Sequence, residues 1–129
     1  MAIVLDASAV LALVKRELGQ DVVQAALVSE AVICTVNLSE VITRLLRDGV
    51  PEMSVRQVID RLPIAVVDFG SDLALSAGLM SVITRPFGLS LGDRACLALA
   101  HRENASALTA DRAWVQVGPL VGVNVKAIR

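Results

Sequence analysis

The hydrophobic positions of the chain follow two alternating rhythms. Short unbroken apolar runs predict strands at residues 2–5, 32–35, 64–67, 107–109 and 123–125. Longer stretches with helical spacing lie between them and predict helices at 8–15, 21–28, 37–47, 54–61, 72–83, 93–102 and 112–117. In the second of these, Val22, Ala25, Ala26 and Ser29 share one face. Gly49 with Pro51, then Pro63, then Pro86, supply the stop signals. Strands that alternate with helices argue for βαβ units and a parallel sheet covered on both faces. The expected fold class is α/β, as a single domain over residues 1–129.

An acid follows four of the apolar stretches. Ile3-Val4-Leu5 leads into Asp6, and the run from Ala31 to Val36 leads to Glu40. Leu89-Ser90-Leu91-Gly92 leads into Asp93, and Ala107-Leu108-Thr109-Ala110 into Asp111. Sites in open α/β sheets form beyond the carboxyl ends of the strands, which is where these positions fall. Four carboxylates gathered there repel one another and raise one another's pKa unless a cation balances them. Mg²⁺ or Mn²⁺, hard ions that take oxygen ligands, are the natural counter-charge, and metal-assisted phosphodiester chemistry follows from them.

Helix capping competes with this interpretation. Asp6 and Asp111 are each placed to be an N-cap, while Asn37 to Glu40 and Ser90 to Asp93 have the form of capping boxes. Capping accounts for any one acid. It does not require all four to fall at one edge of a sheet.

Asp6-Ala7-Ser8, Glu40 early in a helix, the stretch Leu91-Gly92-Asp93-Arg94-Ala95-Cys96-Leu97-Ala98-Leu99-Ala100, and Leu108-Thr109-Ala110-Asp111-Arg112-Ala113-Trp114 together resemble a PIN-domain ribonuclease. The likeness is strongest to VapC-like toxins of type II toxin–antitoxin pairs and covers essentially the whole chain. It implies a three-layer α/β/α fold with strand order 3-2-1-4-5 and metal-dependent RNA cleavage. Asp6, Glu40, Asp93 and Asp111 would be the metal-binding and catalytic residues, with Mg²⁺ or Mn²⁺ as cofactor. The chain departs from some members after Asp111, where Arg112, Ala113 and Trp114 stand in place of a further acid. Ser8 and Thr109 are candidates to orient the acids, and Arg94 and Arg112 to hold a phosphate. Arg44 and Arg47, four and seven residues after Glu40, share its helix face, and a Glu40–Arg44 surface pair is expected there in preference to RNA contact. Trp114 is expected to pack over the sheet, whereas Phe87 is the better candidate for an exposed aromatic contact.

Composition narrows the alternatives. His101 is the only histidine, so a histidine-pair ribonuclease mechanism is excluded. Cys34 and Cys96 form no CxxC and are expected as buried thiols. A receiver-type signalling domain would also hold Mg²⁺ on a parallel sheet. It needs a downstream lysine, and none occurs between Lys15 and Lys126. A PIN fold that binds RNA without cutting it is a further alternative, disfavoured by the presence of all four acids.

The chain has a formal net charge of −1, which predicts no direct DNA binding. No apolar run is long enough for a membrane span and no signal peptide is evident, so a cytoplasmic protein is expected. The hydrophobic fraction of 55% and mean hydropathy of +0.67 predict surfaces covered by other chains. A homodimer is one such expectation. A groove on the first two helices, filled by a cognate antitoxin helix, is the other.

Overall fold

In a computed structural model, residues 2–129 are described. The chain runs β1 (Ala2–Leu5), α1 (Ala7–Val14), α2 (Gln20–Ala26), β2 (Glu30–Cys34), α3 (Thr35–Arg47), α4 (Glu52–Arg61) and β3 (Ala65–Val67). It continues through α5 (Ser71–Thr84), a 3-10 turn at Arg85–Phe87, α6 (Leu91–Arg102) and β4 (Ser106–Thr109). The last elements are α7 (Trp114–Val117), a 3-10 turn at Gly118–Val121, and β5 (Val125–Ala127). Every strand and helix expected from the hydrophobic pattern forms. Several elements start two residues from the expected position, and β5 is displaced by two at both ends, Val125–Ala127 rather than 123–125. A left-handed Gly122 (φ 73°) closes the preceding 3-10 turn and delays the strand.

The described residues form one parallel five-stranded sheet in the order β3-β2-β1-β4-β5, as expected. Alternation along each strand divides the core between its two faces. Leu5, Ile33 and Leu108 pack with α1 to α4, while Val4, Cys34 and Ala107 pack with α5, α6 and Trp114. The succession of strands reverses between β1 and β4. That is the switch point where loops diverge and open a crevice at the carboxyl edge.

Part of the apolar run of the first two helices is core, as a sheet covered on both faces requires. Ala9, Val10, Ala12, Val23 and Ala26 are buried against the sheet, while Val22, Ala25 and Ala26 line a shallow cavity of about 210 Å³ beside β4. Exposed apolar side chains remain at Val22 and at Val28 just after α2, and others, Leu75, Leu79, Val82 and Ile83, line α5. No helix among the described residues is long and apolar enough to cross a membrane.

Candidate active site

The carboxyl edge of the sheet opens into a cleft of about 510 Å³ lined by Asp6, Glu40, Asp93 and Asp111. The four acids predicted to converge do converge. Each arrives by a different local device.

Asp6 is the residue after β1 and caps α1, so capping and site placement coincide here. Its Oδ1 accepts from Ser8 Oγ at 2.7 Å and from the Ala9 amide at 2.8 Å. Its Oδ2 accepts from Thr109 Oγ1 at 2.6 Å, a bond that ties the end of β1 to the end of β4. Ser8 and Thr109 therefore orient Asp6, and they are fixed in turn. The Ala110 amide donates to Ser8 Oγ at 2.8 Å, and the Asp111 amide to Thr109 Oγ1 at 3.0 Å. Burial pushes the Asp6 carboxyl up to about 6, and the Asp93 charge adds to the rise against the lowering effect of the three bonds.

Asp93 stands at the third position of α6. The Ser90 amide donates to its Oδ2 at 2.9 Å and its own amide donates to Ser90 Oγ at 3.3 Å, a complete capping box. Desolvation raises its pKa, and the charge of Asp111 raises it further. Asp111 is exposed and accepts from the Ala113 amide at 3.0 Å. This closes a side-chain turn before α7 rather than capping the helix, whose N-cap is Ala113.

Glu40 departs from the expected capping box. Strand β2 runs into α3 with no intervening loop, so Cys34 is the N-cap and Asn37 and Glu40 lie inside the helix. Asn37 is buried, and its Nδ2 donates both to Glu40 Oε1 and to the Gly92 carbonyl, each at 2.9 Å. One amide thus joins α3 to α6 and holds Glu40 over the cleft. Its Oδ1 is a buried acceptor with no partner among the described residues. Desolvation raises the Glu40 pKa, and Asp93 contributes in the same direction. The positioning role of Asn37 was missed in the sequence, where its place three residues before Glu40 suggested only a cap.

The arginines are rearranged relative to expectation. Arg94 and Arg112 adjoin acids in sequence but do not line the cleft. Successive helical residues point about 100° apart, and Arg94 Nη1 instead donates to the Ala77 carbonyl of α5 at 2.9 Å. Arg112 is exposed. Arg44 does not pair with Glu40. Its Nε lies 3.6 Å from Asp48, and both Arg44 and Arg47 line the cleft. Trp114 is buried, with its ring in the cleft wall. His101 is exposed in the last turn of α6, outside the cleft.

As placed, no three Asp, Glu, His or Cys side chains among the described residues form a close-set metal group. The chemistry of the donors nevertheless fits a hard divalent ion. They are all oxygens, three of the four carry raised pKa values that a cation would reverse, and an unsatisfied amide oxygen stands in the same wall.

Fold and cleft define a class: a three-layer α/β/α protein with an acidic cleft at the switch point of a parallel sheet. A model of the PIN domain matches residues 3–119, and the chain belongs to the PIN-domain family. Its strand order is not the 2-1-3-4-5 of receiver domains, which removes that alternative. Membership carries a class of activity with it, hydrolysis of nucleic acid, and PIN domains generally use divalent metal ions. No curated protein matches the sequence. Several solved structures share the fold. The chain is similar to one in DNA-bound VapBC from Salmonella typhimurium, with a TM-score of 0.77 and 15% identity over 100% of this chain and 99% of that one. It is similar to one in VapBC2 from Rickettsia felis bound to a promoter DNA fragment, with a TM-score of 0.75 and 15% identity over 98% of each chain. FitAcB from Neisseria gonorrhoeae gives a TM-score of 0.64 and 15% identity over 98% of this chain and 97% of that one.

Proposed function

We propose that this PIN domain is a Mg²⁺- or Mn²⁺-dependent endoribonuclease that cuts single-stranded or loop RNA and acts as the toxin of a toxin–antitoxin pair. The observation that carries the reading is the convergence of Asp6, Glu40, Asp93 and Asp111 on one cleft. In this reading Asp6 and Asp93 are the main metal ligands, and Glu40 and Asp111 complete the pocket directly or through water. A bound divalent ion would lower the pKa of its water and offset charge on the phosphate oxygens.

The chain's own residues provide the preorganisation. Three donors fix Asp6 in one rotamer, so it meets a cation without reorganising. Asn37 does the same for one oxygen of Glu40 and leaves Oε2 free for the cleft. The capping box occupies one oxygen of Asp93 and leaves the other. Burial lowers the local dielectric around Asp6, which strengthens its interaction with a cation.

The toxin reading is supported by likeness to structures described as toxin–antitoxin complexes. A partly apolar groove would suit an antitoxin helix. This groove, of about 480 Å³ between α3 and α4, is floored by Ile42, Leu46, Val55 and Ile59 and rimmed by Glu52, Arg56 and Asp60. In such a pair, DNA contact would belong to the antitoxin, in keeping with the net charge of −1 here. Sequencing of RNA ends after brief induction in cells tests the reading. New 5′ ends that accumulate at defined sites, and vanish when the adjacent small open reading frame is co-expressed, support it. An unchanged RNA population rejects it.

A further inference from the structure

Helix α3 carries positive charge to the acidic cleft. Arg44 and Arg47 follow Glu40 at spacings of four and seven, so all three lie along one stripe of the helix. Both arginines line the cleft and both are exposed. Neither forms an ion pair with any of the four carboxylates. Arg44 reaches only Asp48, at 3.6 Å, and Arg47 has no ion pair among the described residues.

This arrangement differs from charge balancing. Cations placed to neutralise the acids would sit on them, in bidentate contact where possible. These are held further along the helix instead. At a rise of 1.5 Å per residue, Arg44 stands about 6 Å and Arg47 about 10 Å beyond Glu40 along the axis. Carboxylate and guanidinium groups thus line the same cleft without pairing. The need for such groups is plain. With more acids than bases overall, the surface gives a polyanion no general attraction, so local cations at the mouth of the cleft decide where it enters. Guanidinium groups suit that task because their planar fork matches two phosphate oxygens at once. The neighbouring Thr43 is not available for it, since its hydroxyl donates to the Ser39 carbonyl at 2.8 Å.

We propose that Arg44 and Arg47 are positioning residues that grip phosphates flanking the scissile bond, so that a single RNA strand lies along α3 and presents one phosphodiester to the carboxylates. The proposal rests on the ribonuclease reading above. It replaces Arg94 and Arg112, the cations suggested by sequence adjacency, with a pair that the fold brings to the cleft.

The test is steady-state cleavage of a fluorescent single-stranded RNA by the full chain over a range of salt. The double variant Arg44→Gln/Arg47→Gln should raise KM by about tenfold or more and leave kcat within about twofold. The fall of log kcat/KM with log salt should become shallower by about 1.4, at roughly 0.7 for each single-strand phosphate that is no longer neutralised. The pair Arg44→Lys/Arg47→Lys keeps the charge and should keep most of the salt slope that the glutamine pair loses, whereas a purely structural role would leave the slope at the wild-type value in both pairs. Wild-type KM and salt slope in the glutamine pair, or a loss confined to kcat, overturns the proposal. A wild-type chain that cuts no RNA in any divalent ion refutes the ribonuclease reading instead, so the two failures are distinct.

Discussion

Gly92 of α6 lies directly against the carboxylate of Glu40 from α3. A Cβ at position 92 would stand 2.5 Å from Glu40 Oε1 and 2.6 Å from its Cδ, far inside van der Waals contact. Glycine inside a helix costs about 1 kcal/mol relative to alanine. Here the missing side chain is the space that Glu40 occupies.

Gly92→Ala should therefore separate stability from activity. Alanine favours α6, and the atoms it meets are the movable end of a glutamate, so the melting temperature should hold or rise. Glu40 is displaced from the cleft, and cleavage should fall by about tenfold or more, as when an outer partner of a metal ligand is lost. Circular dichroism melting and an RNA cleavage assay on the same preparation check both halves. Unchanged activity would mean that Glu40 contributes nothing from its observed position.

Asn37→Ala tests the bridge between the two helices. The substitution removes the donor to Glu40 Oε1 and leaves the Gly92 carbonyl without its side-chain partner. Loss of buried polar satisfaction predicts destabilisation of about 1–3 kcal/mol by urea titration. Activity should drop by about 10–100-fold. A stable, fully active variant would reduce Asn37 to a space-filler.

The raised pKa of Asp6 predicts a pH-dependent response to metal. Its carboxyl is lifted from 3.8 to about 6 in the folded chain, mainly by burial. The folded state thus binds the proton more tightly than the unfolded state. The resulting destabilisation is absent below about pH 4 and complete above about pH 6. At about 1.4 kcal/mol per pKa unit it amounts to about 3 kcal/mol in the metal-free protein. Mn²⁺ should offset that penalty, so the melting temperature should rise more on adding it at about pH 7.5 than at about pH 5. Equal shifts at both values would show that Asp6 does not meet the cation.

The exposed face of α5 predicts self-association. Leu75, Leu79, Val82 and Ile83 recur at helical spacing and are all exposed. A second copy of the chain would cover them. Light scattering at about 50 μM should give twice the monomer mass for the wild type and the monomer mass for Leu79→Asp. A monomeric wild type would leave this face without the proposed occupant.

Some of this architecture was readable from the pattern of residues, and the physical reasons differ by element. The strands were legible because sheet burial on both faces demands continuous apolar runs such as Ile3-Val4-Leu5. Asp6 and Asp111 were legible because they stand one and two residues after strand ends, and position just after a strand fixes position at the edge. Asn37 and Gly92 were not. Their roles depend on α3 and α6 meeting, a contact between residues 55 apart that local pattern does not encode. The shared face of Glu40, Arg44 and Arg47 was legible from their spacing, but not that Arg44 turns to Asp48 rather than to Glu40. Adjacency in sequence favoured Arg94, but side-chain direction on a helix favours spacings of three, four and seven, which lead from Glu40 to Arg44 and Arg47. The apolar run of α1 and α2 was ambiguous in another way, since a core helix and a partner-covered helix have the same composition, and only the fold divides its residues between the two.

If Asp6, Glu40, Asp93 and Asp111 form a metal-dependent centre that hydrolyses RNA, one experiment on purified protein should show it. The wild-type chain and Asp93→Asn are incubated with a 5′-labelled single-stranded RNA, with Mg²⁺, with Mn²⁺ and with EDTA, and the ends of the products are mapped. The wild type should cleave in either metal and not in EDTA, leaving 5′-phosphate and 3′-hydroxyl ends. Asp93→Asn should lose more than the roughly 10–100-fold that outer partners cost, with folding retained because asparagine keeps the acceptor for the Ser90 amide. Full activity in EDTA, products ending in 2′,3′-cyclic phosphate, or an Asp93→Asn variant as fast as the wild type would contradict a metal centre built from these four acids.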